Sequence, residues 1–267
     1  MPESTDRYVF DRAWEREHER LAALEAVYDP GTTERLAGLG VAAGWHCLEV
    51  GCGAGSIARW LADRVGERGR VLAIDLDPRF AEGHGRANLE VRRQDLLADP
   101  LPAGAFDLVH ARAVLEHLPD RERAVRRLAA AVRPGGWLVL EDFDIEGPAV
   151  ELIARYWPDG QHELAERLYR ALEAAFGRAG ADPGYGRRLP DALAGAGLTE
   201  VGARLQAPVL PGGTPFLALT LRQLRAPLLA GGLVEEAELD RAVELIQRQD
   251  VRYVPNVMVT AWARRPD

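Results

Sequence analysis

Three glycines in alternate positions, Gly51, Gly53 and Gly55, follow the short apolar run Trp45–Val50 and precede Ser56, where a helical pattern opens with Ile57, Trp60, Leu61 and Val65 on one face. Strand, glycine turn and helix N-terminus in that order form a place where backbone can approach a ligand closely. A dinucleotide fingerprint needs glycines at the first, third and sixth loop positions, and the sixth position here is Ser56. Glu49, two residues before the first glycine, would repel a pyrophosphate and attract a cation. Asp75 and Asp95 close two further strands, Val71–Ile74 and Leu89–Arg93, the second through Gln94, bringing two more carboxylates to the same edge. His110 and His117 follow the start of a fourth run, Phe106–His110, and an imidazole there could accept a proton near neutral pH.

S-adenosylmethionine meets these constraints, having an adenosine, a sulfonium, an ammonium and a carboxylate but no phosphate. Asp75 can accept hydrogen bonds from both ribose hydroxyls, and Asp95 one from the adenine amino group while the Leu96 N–H meets a ring nitrogen. Gly51 and Gly53 leave space for the methionine part. Methyl transfer from this ligand is an in-line displacement at an activated carbon, so holding the nucleophile in place supplies much of the acceleration. With a hydroxyl acceptor, His117 or His110 at the rim would remove the proton.

These residues need a scaffold that alternates strand and helix, and the chain supplies it. After the four strands come a helix at Asp120–Val132, the turn Pro134-Gly135-Gly136 and a fifth strand at Trp137–Asp142, giving an α/β, doubly wound parallel sheet with its ligand across the strand C-termini. Ahead of the sheet, Phe10, Trp14, Leu21, Leu24 and Tyr28 mark an amphipathic helix that Asp29, Pro30 and Gly31 are expected to stop, followed by a short helix over Thr32–Leu39. Tyr8 and Trp14 could fold over the ligand as a lid. Beyond Asp142, Leu164, Leu168, Leu172 and Phe176 give another amphipathic face, read as an inserted cap whose Tyr156, Trp157, Tyr169, Phe176 and Tyr185 could line an apolar acceptor pocket. Arg187 and Arg188 suit a solvated surface. Leu198–Gln206 reads as a sixth strand, Pro215–Leu229 and Glu235–Gln249 as helices, and Val257–Ala263 as the last strand. The resulting divisions are an N-terminal helical lid (1–40), a cofactor-binding half (41–144), a helical cap (145–197) and C-terminal strands with inserted helices (198–267).

Composition narrows the chemistry. All 33 basic residues of the 267 are Arg, so lysine-dependent phosphate loops, kinase sites and Schiff bases are excluded. A net charge of -8 argues against a bulk electrostatic grip on nucleic acid. Cys47 and Cys52, without a second pair, indicate neither a disulfide framework nor a metal site. No run is long and apolar enough for a membrane helix, and the first residues lack a signal-peptide profile, so a cytoplasmic location is expected. A small-molecule acceptor is the expected partner, with no nucleic acid and no membrane, and a homodimer is compatible with the sequence.

The blocks Leu48-Glu49-Val50-Gly51-Cys52-Gly53-Ala54-Gly55, Ala73-Ile74-Asp75, Gln94-Asp95-Leu96, Phe106–Ala111, Leu115–Asp120 and Arg133-Pro134-Gly135-Gly136 occur in the order and spacing of a known family. Over about residues 42–144 the chain resembles class I S-adenosylmethionine-dependent methyltransferases, in the small-molecule branch that includes ubiquinone/menaquinone and bacterial natural-product enzymes. The resemblance implies a Rossmann-like sheet of seven strands with the last antiparallel. It also implies a cofactor set of Glu49, Gly51, Cys52, Gly53, Gly55, Asp75, Asp95, Leu96 and Ala111. In sugar O-methyltransferases that this segment resembles, a histidine works with an acid at the end of the fifth strand, positions that correspond here to His117 and Asp142. The expected activity is O-methylation of a small apolar metabolite in secondary metabolism. The alternatives are C- or N-methylation of a quinone-like or other small molecule, an NAD-dependent oxidoreductase, and a cyclase that binds S-adenosylmethionine without transferring methyl.

Overall fold

The computed structural model describes residues 9–267, so Tyr8 lies outside the described residues. In chain order the elements are α1 (Glu17–Gly38), β1 (His46–Val50), α2 (Ser56–Val65), β2 (Arg70–Asp75), β3 (Leu89–Arg93), β4 (Phe106–Arg112), α3 (Arg121–Ala131) and β5 (Val132–Asp144). Then come α4 (Pro148–Arg155), α5 (His162–Arg178), α6 (Leu189–Gly195), β6 (Thr199–Gln206), β7 (Leu210–Pro211), α7 (Pro215–Gln223), α8 (Arg225–Leu229), α9 (Glu236–Gln247), β8 (Arg252–Tyr253) and β9 (Val257–Arg264).

Among the described residues seven strands form one sheet in the order β3-β2-β1-β4-β5-β9-β6, and β7 pairs with β8. The strands from β3 to β5 are parallel, while β9 runs antiparallel to both β5 and β6. The order in which successive strands are added reverses between β1 and β4, and at such a switch point the loops leaving neighbouring strands part to open a crevice. β1 and β4 are buried along almost their whole length because helices cover both faces. One face packs Cys47, Val71 and Leu108 under α2 and the end of α1, and the other packs Val109, Leu138 and Ala261 under α3 and α6.

A third apolar cluster builds the cap. It gathers α5 with α7, α9 and the middle of α1, around Tyr28, Tyr169, Phe216 and Tyr253. The cap therefore comes from two stretches of chain, one after β5 and one between β6 and β9. α6, within the segment read as cap, packs instead on the sheet against β9 and β6.

The expected break at Pro30 does not occur, since α1 runs through it. Proline forfeits one helical hydrogen bond, but tertiary packing outweighs that loss. Tyr28, Thr32 and Leu36 are buried on the sheet side, and the Arg204 guanidinium donates to the Gly31 carbonyl. The carboxamide of Gln206, from β6, lies in the space beside Gly31 that a Cβ would take. β5 also starts earlier than expected, with its pairing to β4 shifted before Trp137 and Gly135 at φ +73°. Among the described residues no helix is long and apolar enough to cross a membrane.

Candidate active site

The glycine loop leaves β1 with Gly51, Gly53 and Gly55 all at positive φ, where side-chain-bearing residues are strained. The Gly51 and Cys52 N–H groups both donate to the Ile74 carbonyl, which ties the loop to β2. A Cβ on Gly51 would stand 2.2 Å from Val114 Cγ2, whereas one on Gly53 would meet only Leu21, at 3.6 Å. Asp75, at the end of β2, accepts from the Gly53 N–H at 3.1 Å and the Asp77 N–H at 2.9 Å. A carboxylate has about four lone-pair sites, so capacity for two hydroxyl donors remains. Burial raises the Asp75 carboxyl above its ordinary value, against the two N–H groups that favour the charged form. Past β3, Asp95 Oδ1 accepts from the Leu97 and Ala98 N–H groups, its other oxygen takes no bond among the described residues, and the buried Leu96 lines the same cavity.

α1 crosses this loop. Glu25 accepts from the Ser56 N–H at 3.1 Å, so a carboxylate already occupies the N-terminus of α2. That is where a dinucleotide's pyrophosphate would have to sit. Burial raises the Glu25 carboxyl against the pull of Ser56. The donor set therefore suits a ligand with a cationic end and a ribose, as S-adenosylmethionine has, and conflicts with NAD.

Side-chain alternation puts Glu49, His110, Arg112, Glu141 and Thr260 on one face of β1, β4, β5 and β9, under α1, with Glu49 opposite His110 and Glu141 between Arg112 and Thr260. His110 Nδ1 lies 2.6 Å from Glu49 and Nε2 lies 3.4 Å from Glu141. The hydroxyls of Thr32 and Thr260 both donate to Glu141 at 2.5 Å. Burial opposes charge on His110, but Glu49 and Glu141 outweigh it and hold the imidazole at about 9. Burial likewise opposes charge on Glu141, yet His110, Arg112 and Thr260 bring it down to about 2. Glu49 is raised by burial despite His110. Arg112 is bonded to Asp29 at 2.7 Å. His110 thus lies inside β4 and fully buried rather than on the rim, and it reaches no acceptor. Its role is to hold Glu49, which does line the cavity.

His117 is on the cavity wall, in a short 3₁₀ turn over Leu115–His117. Its Nε2 is 3.2 Å from Glu116 Oε1, and its ring stacks on Phe176 and meets the edge of Phe10. The expected partner, Asp142, is buried behind and away from the lining, accepting from the Val114 N–H at 3.0 Å. Burial, then the charge of Glu116, push the Asp142 carboxyl well above the usual range. Asp142 therefore braces the turn while Glu116 faces the imidazole. Ala111 is likewise buried off the lining, which Arg112, Ala113 and Val114 supply in its place. Ala113 takes φ +53°, turning the chain over the cavity.

The cavity measures about 890 Å³ and joins the glycine-loop end to aromatic and aliphatic walls, Phe143 from β5 and Leu172, Phe176 and Phe216 from the cap. Of the five cap aromatics expected there, Phe176 alone lines it. Trp157 and Tyr169 fill the cap core, Tyr185 packs among the residues under α3 and α6, and Tyr156 is exposed. Trp14 packs on the cap cluster rather than over the ligand space. Arg187 and Arg188 pair with Asp144, Glu146 and Asp182. Both cysteines are buried free thiols, and the described residues hold no cluster able to bind a metal. Sequence reasoning missed Glu25, Glu116, Arg20 and Asn256. Arg20 lies over the Phe10 ring and makes a bidentate buried pair with Glu17 at 2.7–2.8 Å.

Residues 48–140 match the family of methyltransferase domains. Methyltransferase str2 of Strobilurus tenacellus is 35% identical over 191 residues, covering 70% of this chain and 66% of that protein. A ubiquinone biosynthesis O-methyltransferase of Xanthomonas axonopodis pv. citri is 34% identical over 150 residues, covering 50% and 61%. The chain thus spans 61–66% of the length of these curated relatives. In fold it is similar to a Haemonchus contortus phosphoethanolamine N-methyltransferase 2, solved with phosphomonomethylethanolamine and S-adenosylhomocysteine. That match has a TM-score of 0.61 at 13% identity, covering 95% of this chain and 58% of the other. The strand order, the glycine loop and the match over residues 48–140 agree, and residues 48–140 are a methyltransferase domain.

Proposed function

We propose that this protein methylates an oxygen of a small, largely apolar molecule, with the His117–Glu116 pair receiving the hydroxyl proton. The observation that carries this reading is that one cavity is lined by Gly51, Asp75 and Asp95 and by the aromatic cap, with His117 on its wall against Phe176. Bound S-adenosylmethionine supplies a methyl group on a positive sulfur that departs as a neutral thioether. The protein's residues do the rest. Asp75 and Asp95 fix the adenosine end, and Glu49 and Glu25 favour the cationic end. The apolar walls exclude water and orient the acceptor, which is where most of the rate arises. His117 takes the hydroxyl proton as the oxygen becomes an ether, and Glu116 steadies the imidazolium that results. Secondary metabolism and a cytoplasmic location fit an acceptor of this kind.

The test is mass spectrometry of phenolic and catecholic acceptors incubated with protein and S-adenosylmethionine. A gain equal to one methylene on free phenols, and none on their O-methyl ethers, supports oxygen as the site. A gain that persists on the ethers points to carbon. No gain on any acceptor, with cofactor binding retained, favours a non-methylating role such as cyclisation.

A further inference from the structure

Asn256 lies immediately before β9, is 93% buried by its 7% exposure, and lines the cavity. Its side-chain Oδ1 has no hydrogen-bond partner among the described residues. A buried amide left unsatisfied costs about 1–3 kcal/mol, so natural proteins retain one where a ligand or an ion completes it. The surroundings fix this group rather than let it turn away. The Tyr28 hydroxyl donates to the Asn256 carbonyl at 3.4 Å, and the Tyr169 hydroxyl donates to the carbonyl of Pro255. Tyr28 is itself wedged edge-on against Phe143 and Phe216, both on the cavity wall. Two buried phenols thus hold one short backbone segment beside the cavity, where Phe143, Phe216 and Leu217 form the neighbouring apolar wall.

We infer that Asn256 is the polar anchor for the far end of the acceptor, and that the acceptor is an elongated apolar molecule with a second hydroxyl there. This rests on the reading of the cavity as a combined cofactor and acceptor site. A hydroxyl both donates and accepts, so it satisfies the amide whichever way the carboxamide is turned. Thr220, also on the wall, donates its own hydroxyl to the Phe216 carbonyl at 2.9 Å and so presents only lone pairs, which again calls for a donor on the ligand. The sheet sets the length. His117 follows β4, Asn256 precedes β9, and one strand, β5, lies between them. Neighbouring strands are about 4.8 Å apart, so β4 and β9 are about 10 Å apart, and an acceptor reaching from one side to the other needs the length of about two aromatic rings.

4,4′-Biphenol places two hydroxyls at a matching separation, and 4-phenylphenol lacks the second. Their affinities are measured by isothermal titration against wild-type protein saturated with S-adenosylhomocysteine, and against Asn256→Leu and Asn256→Ala. The wild type is expected to prefer the biphenol by about tenfold, beyond the roughly twofold statistical advantage of a symmetric molecule. In Asn256→Leu, whose side chain has nearly the same shape, the preference falls to about twofold, while S-adenosylhomocysteine binds as in wild type and so reports an intact fold. Asn256→Ala serves if the leucine variant does not fold. Equal affinities in the wild type, a preference that survives both substitutions, or binding of neither phenol overturns the inference. A preference that depends on Asn256 upholds the anchor even where no methyl group is transferred.

Discussion

His117 and Glu116 are consecutive in the chain, yet their side chains meet, with Nε2 3.2 Å from Oε1. An extended strand would send such neighbours to opposite faces, but the short 3₁₀ turn after β4 brings both onto one cavity wall. A carboxylate on one side of the imidazole and an apolar chamber beyond it are the surroundings in which a histidine can take a proton from a hydroxyl and hold it. His117→Ala should lower turnover by about a hundredfold with cofactor affinity nearly unchanged, and raising the pH should partly restore it as the acceptor ionises unaided. Single-turnover rates against pH for wild type and variant check this. A variant that keeps the wild-type rate throughout would show that orientation alone suffices.

Glu116→Gln tests the carboxylate. It keeps the shape of the pair and removes the charge that steadies the imidazolium, so the rate should fall by about tenfold or more with unchanged KM for the acceptor. A change in KM alone would assign Glu116 to binding.

The buried cluster built on His110 links stability to pH. Its imidazole is raised to about 9, so its contribution is complete below the unfolded value of 6.5 and is lost as pH rises through about 9. Glu141, lowered to about 2, contributes above its unfolded value of 4.5 and loses that contribution as pH falls through about 2. Denaturant melts should show the wild type losing stability between pH 7 and about 9.5, by an amount on the order of a few kcal/mol. His110→Gln should be less stable at pH 7 and should lack that decline, and a decline of equal size in the variant would place the titrating group elsewhere.

Gly51 joins the two ends of the site, because an added Cβ would press on Val114 at 2.2 Å and its φ of +67° is strained for any other residue. Gly51→Ala should cost about 1–3 kcal/mol in folding stability and weaken S-adenosylhomocysteine binding. Paired melting and titration curves measure both, and a variant with wild-type values would mean that the loop has freedom the packing denies.

What could be read in advance was local. Short runs bounded by glycines and acids located the strands, and seven strands with an antiparallel last member followed from the family resemblance. Long-range contacts could not be read in this way. Glu25 is one polar residue on a helix until α1 is laid across the glycine loop, and Pro30 reads as a breaker until β6 is placed beneath Gly31. His110 did carry a signal that was missed. It shares the parity of the apolar Leu108, so it belongs to the inward face of a strand that continues to Arg112. Asn256 carried none, since its meaning depends on two tyrosines distant in sequence.

The placement of the cofactor is tested most directly by isothermal titration of S-adenosylhomocysteine into wild type and Asp75→Ala, with NAD in parallel. Asp75 both orders the loop through Gly53 and faces the cavity, so its loss should weaken binding by about 1–3 kcal/mol while the fold survives. The account predicts micromolar binding to wild type, weakening of at least about tenfold in the variant, and no heat from NAD. Equal affinity in wild type and variant, or heat from NAD with none from S-adenosylhomocysteine, would contradict it.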